Sequence, residues 1–465
     1  MPASRFRAGA ATSNITPSLG VSLNGGMQDR AAAHVHDELH ARCLVLDDGK
    51  HEPIGIATVD SCMIPRAVVD AAKEMVQGET DLNLDRMLVS ATHAHSCPTV
   101  AGVFQSEPDE AYAEFLARRI ADGFRRAANN LQPAEVAWGS FPEPNEVFNR
   151  RWRLKPGSMP PDPFGDIDQV KMNPGVGSDA LVEPAGPTDP EVSLLAVRRA
   201  EGGAPLALWA NYSLHYVGDV GPGHVSADYF GAFARRLTLY MKSDDLAPPF
   251  VAAMTNGTSG DVNNVNFRTA RDRGPAYSRI NAVAQVLAAK AAEAYGKLTF
   301  RSDATLDMRE AAVKVGVRRP TRDEAAKARY ILSQGEGEPL KKVEEIYARE
   351  TLLLADYPPN IETLVQAVRI GDLGIATFPC ETCGPAVHTL QAGAAHRRHQ
   401  ERQRLRGLSA DGRAPSSGRI RDVASPVELP RGGRRRDAAF DRDATASGAW
   451  LTSTQFGAAP GAHRR

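Results

Sequence analysis

Five of the short apolar strands expected from this sequence are followed at their C-terminal ends by side chains that can do chemistry. These polar positions are Asp60, the pair His93 and His95, His215, the segment from Asn256 to Asp261, and Glu381. In open α/β sheets, ligands bind outside the carboxyl ends of the strands. A chance arrangement would scatter such groups over both ends, so the pattern predicts one site assembled across most of the chain.

The apolar patterns predict an α/β fold with a mixed β-sheet core, flanking helices and long active-site loops. Strands are expected at residues 39–46, 53–59, 86–89, 192–197, 206–211, 249–254, 365–370 and 374–378. Helices are expected at 68–76, from Asp109 to near Pro133, around 280–287, and as a charged hairpin over 321–354. Residues 141–190 are rich in Pro, Gly and Asp without periodicity, which predicts a long loop facing the substrate.

The overall composition excludes several classes of protein. The 465 residues carry a net charge of −1, with 42% hydrophobic and 24% charged residues, so no global charge points to nucleic acid or an anionic membrane. No run reaches the length of a membrane span, and the start of the chain lacks the apolar core of a signal peptide. We therefore expect a cytoplasmic protein, and its five cysteines do not make a disulfide framework.

The segment Ser90-Ala91-Thr92-His93-Ala94-His95-Ser96-Cys97-Pro98 holds two histidines at the mouth of an expected strand. Residues i and i+2 of a strand share one face, so both imidazoles are expected to address the same point. The pair fits three arrangements: a metal ligand with a second histidine that supports it, a general base with a second histidine that orients it, or two histidines that cap a buried strand.

His93, His215 and Glu381 together form a two-histidine, one-carboxylate set. Such a set suits a catalytic zinc ion that keeps a position for water, with manganese or iron as the second choice. His95 would then have an outer-shell or proton-transfer role.

Other readings of the polar residues remain open. Cys380 and Cys383 have the spacing of a redox pair or of half a thiolate zinc site, but no second such pair exists. Cys97 fits either a nucleophile beside the histidines or a small buried side chain. The glycine-rich segment after Met254 can cradle an anion. Arg150 and Arg151 fit either solvated loop charges or a clamp on an anion or carbonyl group.

Five ordered segments give the chain a resemblance to the N-terminal catalytic domain of the neutral/alkaline non-lysosomal ceramidase family. The segments are Thr92-His93-Ala94-His95-Ser96-Cys97-Pro98, Asn149-Arg150, His215, Gly260-Asp261-Val262-Asn263-Asn264 and Pro379-Cys380-Glu381. The resemblance covers roughly residues 8–384. It implies an amidase with one zinc ion, His93, His215 and Glu381 as ligands, and His95 and Arg150 as catalytic support. We assign Asn149, Asn256 and Asp261 to substrate binding.

Two features depart from the family's pattern. Asn263 stands where the family has its proposed serine nucleophile, and an asparagine can hydrogen-bond an oxyanion but cannot form an acyl intermediate. We assign Asn263 to catalysis in that supporting role. The family also has a tyrosine zinc ligand shortly after the glutamate, whereas residues 385–465 contain no tyrosine.

The C-terminal 75 residues differ in composition from the rest of the chain. Residues 391–465 hold 15 Arg, no Lys and 7 acidic residues. Permitted codons for Arg404 to Ser425, read one base later, can give a tyrosine-bearing segment that resembles the family's missing one. We therefore expect residues 1–390 to form a ceramidase-like metallohydrolase domain, incomplete at its C-terminal end, and residues 391–465 to be an out-of-frame, disordered tail. A natural basic tail for nucleic acid or an acidic partner is the alternative.

The sequence therefore predicts a zinc-dependent hydrolase of an amide (N-acyl) or related acyl bond, with a small-molecule or lipid amide substrate, a place in sphingolipid metabolism and no nucleic-acid partner. The alternative is a weak or inactive family member that binds a lipid or small molecule without turnover. A third hypothesis, a thiol enzyme that uses Cys97, predicts inactivation by alkylation and indifference to chelators.

Overall fold

The computed structural model describes residues 6–384, except residues 164, 244 and 272–273, together with the backbone of Ser453–Ala458. The expectations for the tail at residues 391–452 and 459–465 lie outside this described part. The described helices are α1 Arg66–Val76, α2 Glu110–Asn129, α3 Asp228–Tyr240, α4 Ser278–Tyr295, α5 Arg322–Ser333 and α6 Val343–Ala355. Among the described residues, no helix combines the length and the apolar character that crossing a membrane requires.

The strands fall into a first group before the long connecting segment, a group within it, and a group after it. The first group is β1 Arg7–Asn14, β2 His34–Val35, β3 His40–Asp47, β4 Ile54–Val59, β5 Met87–Ala91 and β6 Gln132–Pro142. The middle group is β7 Phe148–Asn149, β8 Arg151–Leu154, β9 Lys171–Met172 and β10 Leu181–Pro184. The last group is β11 Glu191–Arg199, β12 Pro205–Tyr212, β13 His224–Val225, β14 Val251–Asn256, β15 Val262–Asn263, β16 Leu306–Gly316, β17 Asn360–Ile370, β18 Leu373–Phe378 and β19 Ser453–Ala458.

An eight-stranded sheet in the order β14-β12-β11-β6-β1-β3-β4-β5 forms the centre of the molecule. The β4–β5 and β12–β14 pairs are parallel, and the other pairs are antiparallel, so the sheet is mixed as expected. β1 and β6 pair only through Arg7 and Ala8, which makes a short junction between two four-stranded halves.

Both faces of this sheet are covered, and neighbouring residues of each strand alternate between the two covers. Cys43 and Val45 of β3 pack towards the layer of helices α1 to α4. Leu44 and Leu46 pack towards the second sheet, whose order is β16-β17-β18-β19. The protein thus has an α/β core with flanking helices, as expected, and a second sheet lies on the opposite face.

The segment at residues 141–190 is more ordered than a loop. β8 pairs with β10 and β9 in a small three-stranded sheet, and β7 pairs with β15. These strands are only two to four residues long, so they leave no measurable alternation in the sequence. The small sheets position Asn149 and Arg150 against the loop that follows β14.

Candidate metal centre

The chain leaves β5 at Ala91 and turns sharply towards the interior. The Thr92 and His93 N–H groups donate to the carbonyls of Val59 and Ser61. His93 itself has a φ of 67°, in the left-handed region that non-glycine residues rarely adopt. His93 and His95 therefore converge because of this turn and not by strand alternation, which was the reason given from the sequence. Their Nε2 atoms lie 3.0 Å apart.

His93, His215 and Glu381 come together from three distant segments of the chain. One donor atom from each lies within 4.8 Å of the other two. Glu381 Oε1 is 3.0 Å from His215 Nδ1 and 3.9 Å from His93 Nε2. His93 and His215 are buried, with 7% and 1% of their surface exposed.

Backbone carbonyls fix the orientation of the two neighbouring imidazoles. His93 Nδ1 donates to the Cys62 carbonyl and His95 Nδ1 donates to the Gly25 carbonyl, each at 3.0 Å. With both Nδ1 atoms protonated, the neutral rings present Nε2 lone pairs to each other at 3.0 Å. Two facing lone pairs repel unless a cation lies near them. A metal ion bound by His93 would relieve this repulsion, and the backbone hydrogen bonds of both rings are of the kind that metal-bound histidines make.

The surroundings of these histidines also favour their neutral form. Burial and the neighbouring His215 lower the pKa of His93 to about 4. Burial and the neighbouring His93 lower the pKa of His95 well below its ordinary value. Neutral imidazole is the form that binds a metal.

Glu381 is held as a carboxylate by Arg150 and by two neighbouring imidazoles. Burial by itself would raise its pKa, but His215, His93 and Arg150 together lower the pKa well below its usual range. Arg150 Nη2 donates to Glu381 Oε1 at 3.0 Å and to the Gly260 carbonyl at 2.8 Å. The Arg150 guanidinium thus joins the Glu381 segment to the loop after β14.

Asn149 and Asp261 hydrogen-bond to each other beside Arg150. Asn149 Nδ2 donates to Asp261 Oδ2 at 3.2 Å, and the Gly384 N–H donates to Asp261 Oδ1 at 3.0 Å. These contacts tie the Arg150 and Glu381 segments together. A substrate contact for either residue remains a prediction.

Asn256 and Asn263 differ in what their side chains do. Asn256 is buried and donates to the Thr92 carbonyl at 3.4 Å, while its Oδ1 has no hydrogen-bond partner among the described residues. Asn263 is half-buried, and its side chain donates to Asn173 and accepts from the Val265 N–H. Asn256 therefore has an atom free to meet a ligand, whereas Asn263 would first have to release Asn173.

Two residues of the centre were not identified from the sequence. Tyr216 stacks on His95 with ring centroids 3.8 Å apart, and Cys62 lies with its sulfur 3.7 Å from His93 Nδ1. Their positions directly after His215 and two residues after Asp60 were the available signals.

The structure also shows the surroundings of Asp60 and of three candidate cysteines. Asp60 is fully buried and accepts from Arg42 Nη1 at 2.7 Å, so it stabilises strands β3 and β4. The Cys97 thiol is buried and donates to the Ser226 carbonyl at 3.7 Å. Burial raises the pKa of Cys97 well above its ordinary value, which opposes a role as a thiolate nucleophile. Cys380 and Cys383 are free thiols.

The comparisons with known proteins agree with this architecture. No family model matches the sequence, and the search of curated proteins found no match. Among solved structures, the neutral ceramidase from Pseudomonas aeruginosa is similar with a TM-score of 0.57 and 19% identity, covering 79% of this chain and 61% of that one. A structure described as ceramidase complexed with C2 is similar with a TM-score of 0.60 and 18% identity, covering 84% and 66%.

The chain spans less than two thirds of the length of either of these ceramidases. At this level of identity the likeness concerns the fold. The arrangement of the sheets and helices, together with the two structural matches, shows that this chain has a neutral ceramidase-like fold.

Proposed function

We propose that the chain is a zinc-dependent hydrolase of an amide (N-acyl) or related acyl bond. The observation that carries the proposal is the convergence of His93, His215 and Glu381 within 4.8 Å in a ceramidase-like fold. These three residues would hold the ion, with zinc as the first choice for two imidazoles and a carboxylate. Zinc, when bound, would supply a Lewis acid for the substrate carbonyl and lower the pKa of a water molecule.

His95, which contacts His93, and Arg150, which contacts Glu381, would support the reaction. His95 is held by the Gly25 carbonyl and by its stack on Tyr216, so its Nε2 has a defined direction in which to take up and return a proton. Arg150 keeps Glu381 ionised and in place through its charge and its 3.0 Å hydrogen bond. Both side chains are therefore positioned before substrate arrives.

The two asparagines would bind polar atoms of the substrate. Asn256 Oδ1, which is buried without a partner among the described residues, can accept a hydrogen bond from a substrate N–H or O–H group. Asn263 Nδ2 can donate to a developing oxyanion after it exchanges its bond to Asn173. A lipid amide is the proposed substrate class, because the structural neighbours are ceramidases.

A second candidate function is lipid or small-molecule binding with little or no turnover. The observation that favours it is the Asn263 side chain, which cannot act as an acyl-forming nucleophile and is already paired with Asn173 and Val265. The two functions share the metal centre and differ in catalysis.

Metal analysis combined with an acyl-amide panel tests the proposal. We expect stoichiometric zinc and hydrolysis in the full chain. Glu381→Gln is expected to lose zinc and to reduce the rate by more than the roughly 10–100-fold effect of losing an outer-shell partner. The control is Glu336→Gln, whose side chain is 81% exposed.

The outcomes separate the candidates. Zinc without hydrolysis of any N-acyl substrate would favour the binding function. A chain that takes up no zinc, or hydrolysis that is unaffected by Glu381→Gln, would overturn the proposed mechanism.

A further inference from the structure

Cys62 lies beside the candidate metal centre but belongs to neither the hydrolytic donor set nor its supporting residues. It follows β4 and has only 2% of its surface exposed. Its sulfur is 3.7 Å from His93 Nδ1, and its carbonyl accepts the Nδ1 hydrogen bond at 3.0 Å. The thiol therefore lies beside the Nδ1 atom of the imidazole that the two donor sets would share.

A second group of potential ligands surrounds this thiol. One donor atom from each of Cys62, His93 and His95 lies within 4.8 Å of the other two. In the part of the chain that the structure describes, this group and the His93–His215–Glu381 group are the two clusters with metal-ligand spacing. The His93 and His95 Nε2 atoms, 3.0 Å apart, are both members of the Cys62 group, and a cation bound to both would relieve the repulsion of their lone pairs.

We propose that Cys62, His93 and His95 form a second, sulfur-containing metal site. A thiolate with two imidazoles is a softer donor set than two imidazoles with a carboxylate, and it suits Zn²⁺, Co²⁺ or Cd²⁺. Burial and the Glu381 carboxylate raise the pKa of the Cys62 thiol, so without a metal the thiol keeps its proton. On binding, the thiol gives this proton to solvent and the sulfur forms the bond to the metal. No oxidant or other reactant is needed.

The two sites cannot be filled at once, because they share His93. Its Nδ1 is committed to the Cys62 carbonyl, which leaves Nε2 as the atom that binds either ion. An ion in the sulfur-containing site is bound by Cys62, His93 and His95, and not by His215 or Glu381. The sulfur site therefore competes with the proposed hydrolytic site, although its existence does not depend on hydrolysis.

Absorption of the Co²⁺-loaded full chain tests this proposal. Sulfur ligation gives Co²⁺ a charge-transfer band in the near ultraviolet, which nitrogen and oxygen ligands do not give. We expect this band in the unmodified chain, its loss in Cys62→Ser, and its retention in Glu381→Gln, where the competing site is impaired. The matched control is Cys383→Ser, which removes another thiol near Glu381 and is expected to keep the band.

Cd²⁺ bound to the unmodified chain gives a second measurement that needs no variant, since its NMR chemical shift reports directly on a sulfur ligand. Cobalt bound without the charge-transfer band, or a band that persists in Cys62→Ser, would overturn the sulfur site. A band retained in Glu381→Gln while hydrolysis is lost would support both proposals separately. Hydrolysis with no evidence of sulfur ligation would leave the proposed function standing and reject this one.

Discussion

At the scale of single residues, the candidate centre depends on buried charges that compensate each other. Arg150 and Glu381 are 231 positions apart, and their side chains are about nine-tenths buried. Removing one partner of such a pair leaves an uncompensated charge in a medium that solvates it poorly. Arg150 also donates to the Gly260 carbonyl, so its loss would loosen the loop after β14.

Replacing Arg150 by glutamine is therefore expected to destabilise the metal-free chain by about 3–5 kcal/mol. The measurement is urea unfolding in the presence of a chelator, so that a bound ion does not mask the effect. Arg151→Gln is the matched control, because Arg151 is half-buried and makes no ion pair with Glu381. Equal destabilisation by the two substitutions would contradict the role given to Arg150.

At the scale of secondary-structure elements, α2 shows how closely the helical layer approaches the central sheet. Asp109 caps the helix by accepting from the Tyr112 N–H, and the buried residues Leu116, Ile120 and Phe124 follow the helical period. Gly9 of β1 lies directly under its last turn: a Cβ there would stand 2.1 Å from the Ala127 carbonyl oxygen. The absence of a side chain at this position permits the packing.

Gly9→Ala is expected to destabilise the fold by about 3 kcal/mol, at the upper end of ordinary overpacking, because the clash is with backbone. Gly316→Ala, in strand β16, is the control, since a Cβ at that position meets nothing within 4 Å. Thermal and urea unfolding of both variants provide the measurement. A melting temperature for Gly9→Ala equal to that of the control would refute this account of the α2 packing.

Several elements were predictable because their periodicity is strong, and others were not. β3, β4, β11 and β12 follow the expected apolar runs, and the charged hairpin is found as α5 and α6, with a Thr321–Glu324 capping box. β1, β6 and β16 were not expected. Six consecutive residues of β16, from 311 to 316, are exposed on both faces, so this half of the strand carries no alternating pattern.

At the scale of the whole molecule, the fold buries His93 and His95 among residues contributed by distant segments. The pKa of His93 is lowered to about 4 by burial and by His215, whereas a histidine in the unfolded chain has its ordinary pKa of 6.5. Between pH 4 and pH 6.5, His93 binds a proton in the unfolded chain but not in the native chain. Stability therefore falls as the pH is lowered through this window, and His95 acts in the same direction.

The stability of the metal-free chain is thus expected to fall by about 3 kcal/mol from His93 alone between pH 6.5 and pH 4. His93→Gln should flatten this part of the pH profile, while His34→Gln, at an exposed histidine, should leave its slope unchanged. Urea unfolding at a series of pH values in chelator measures both. An unchanged slope in His93→Gln would show that His93 does not titrate as described.

The sequence by itself determined the mixed α/β character of the core, because apolar runs and helical periodicity are properties of neighbouring residues. It also determined which side chains could serve as ligands, since His93, His215 and Glu381 each follow a strand. The convergence of these residues, the ring orientations set by Cys62 and Gly25, and the contacts of Tyr216 depended on tertiary structure. The physical reason is that these contacts join residues tens to hundreds of positions apart, and only packing of the sheets and helices brings such residues into contact.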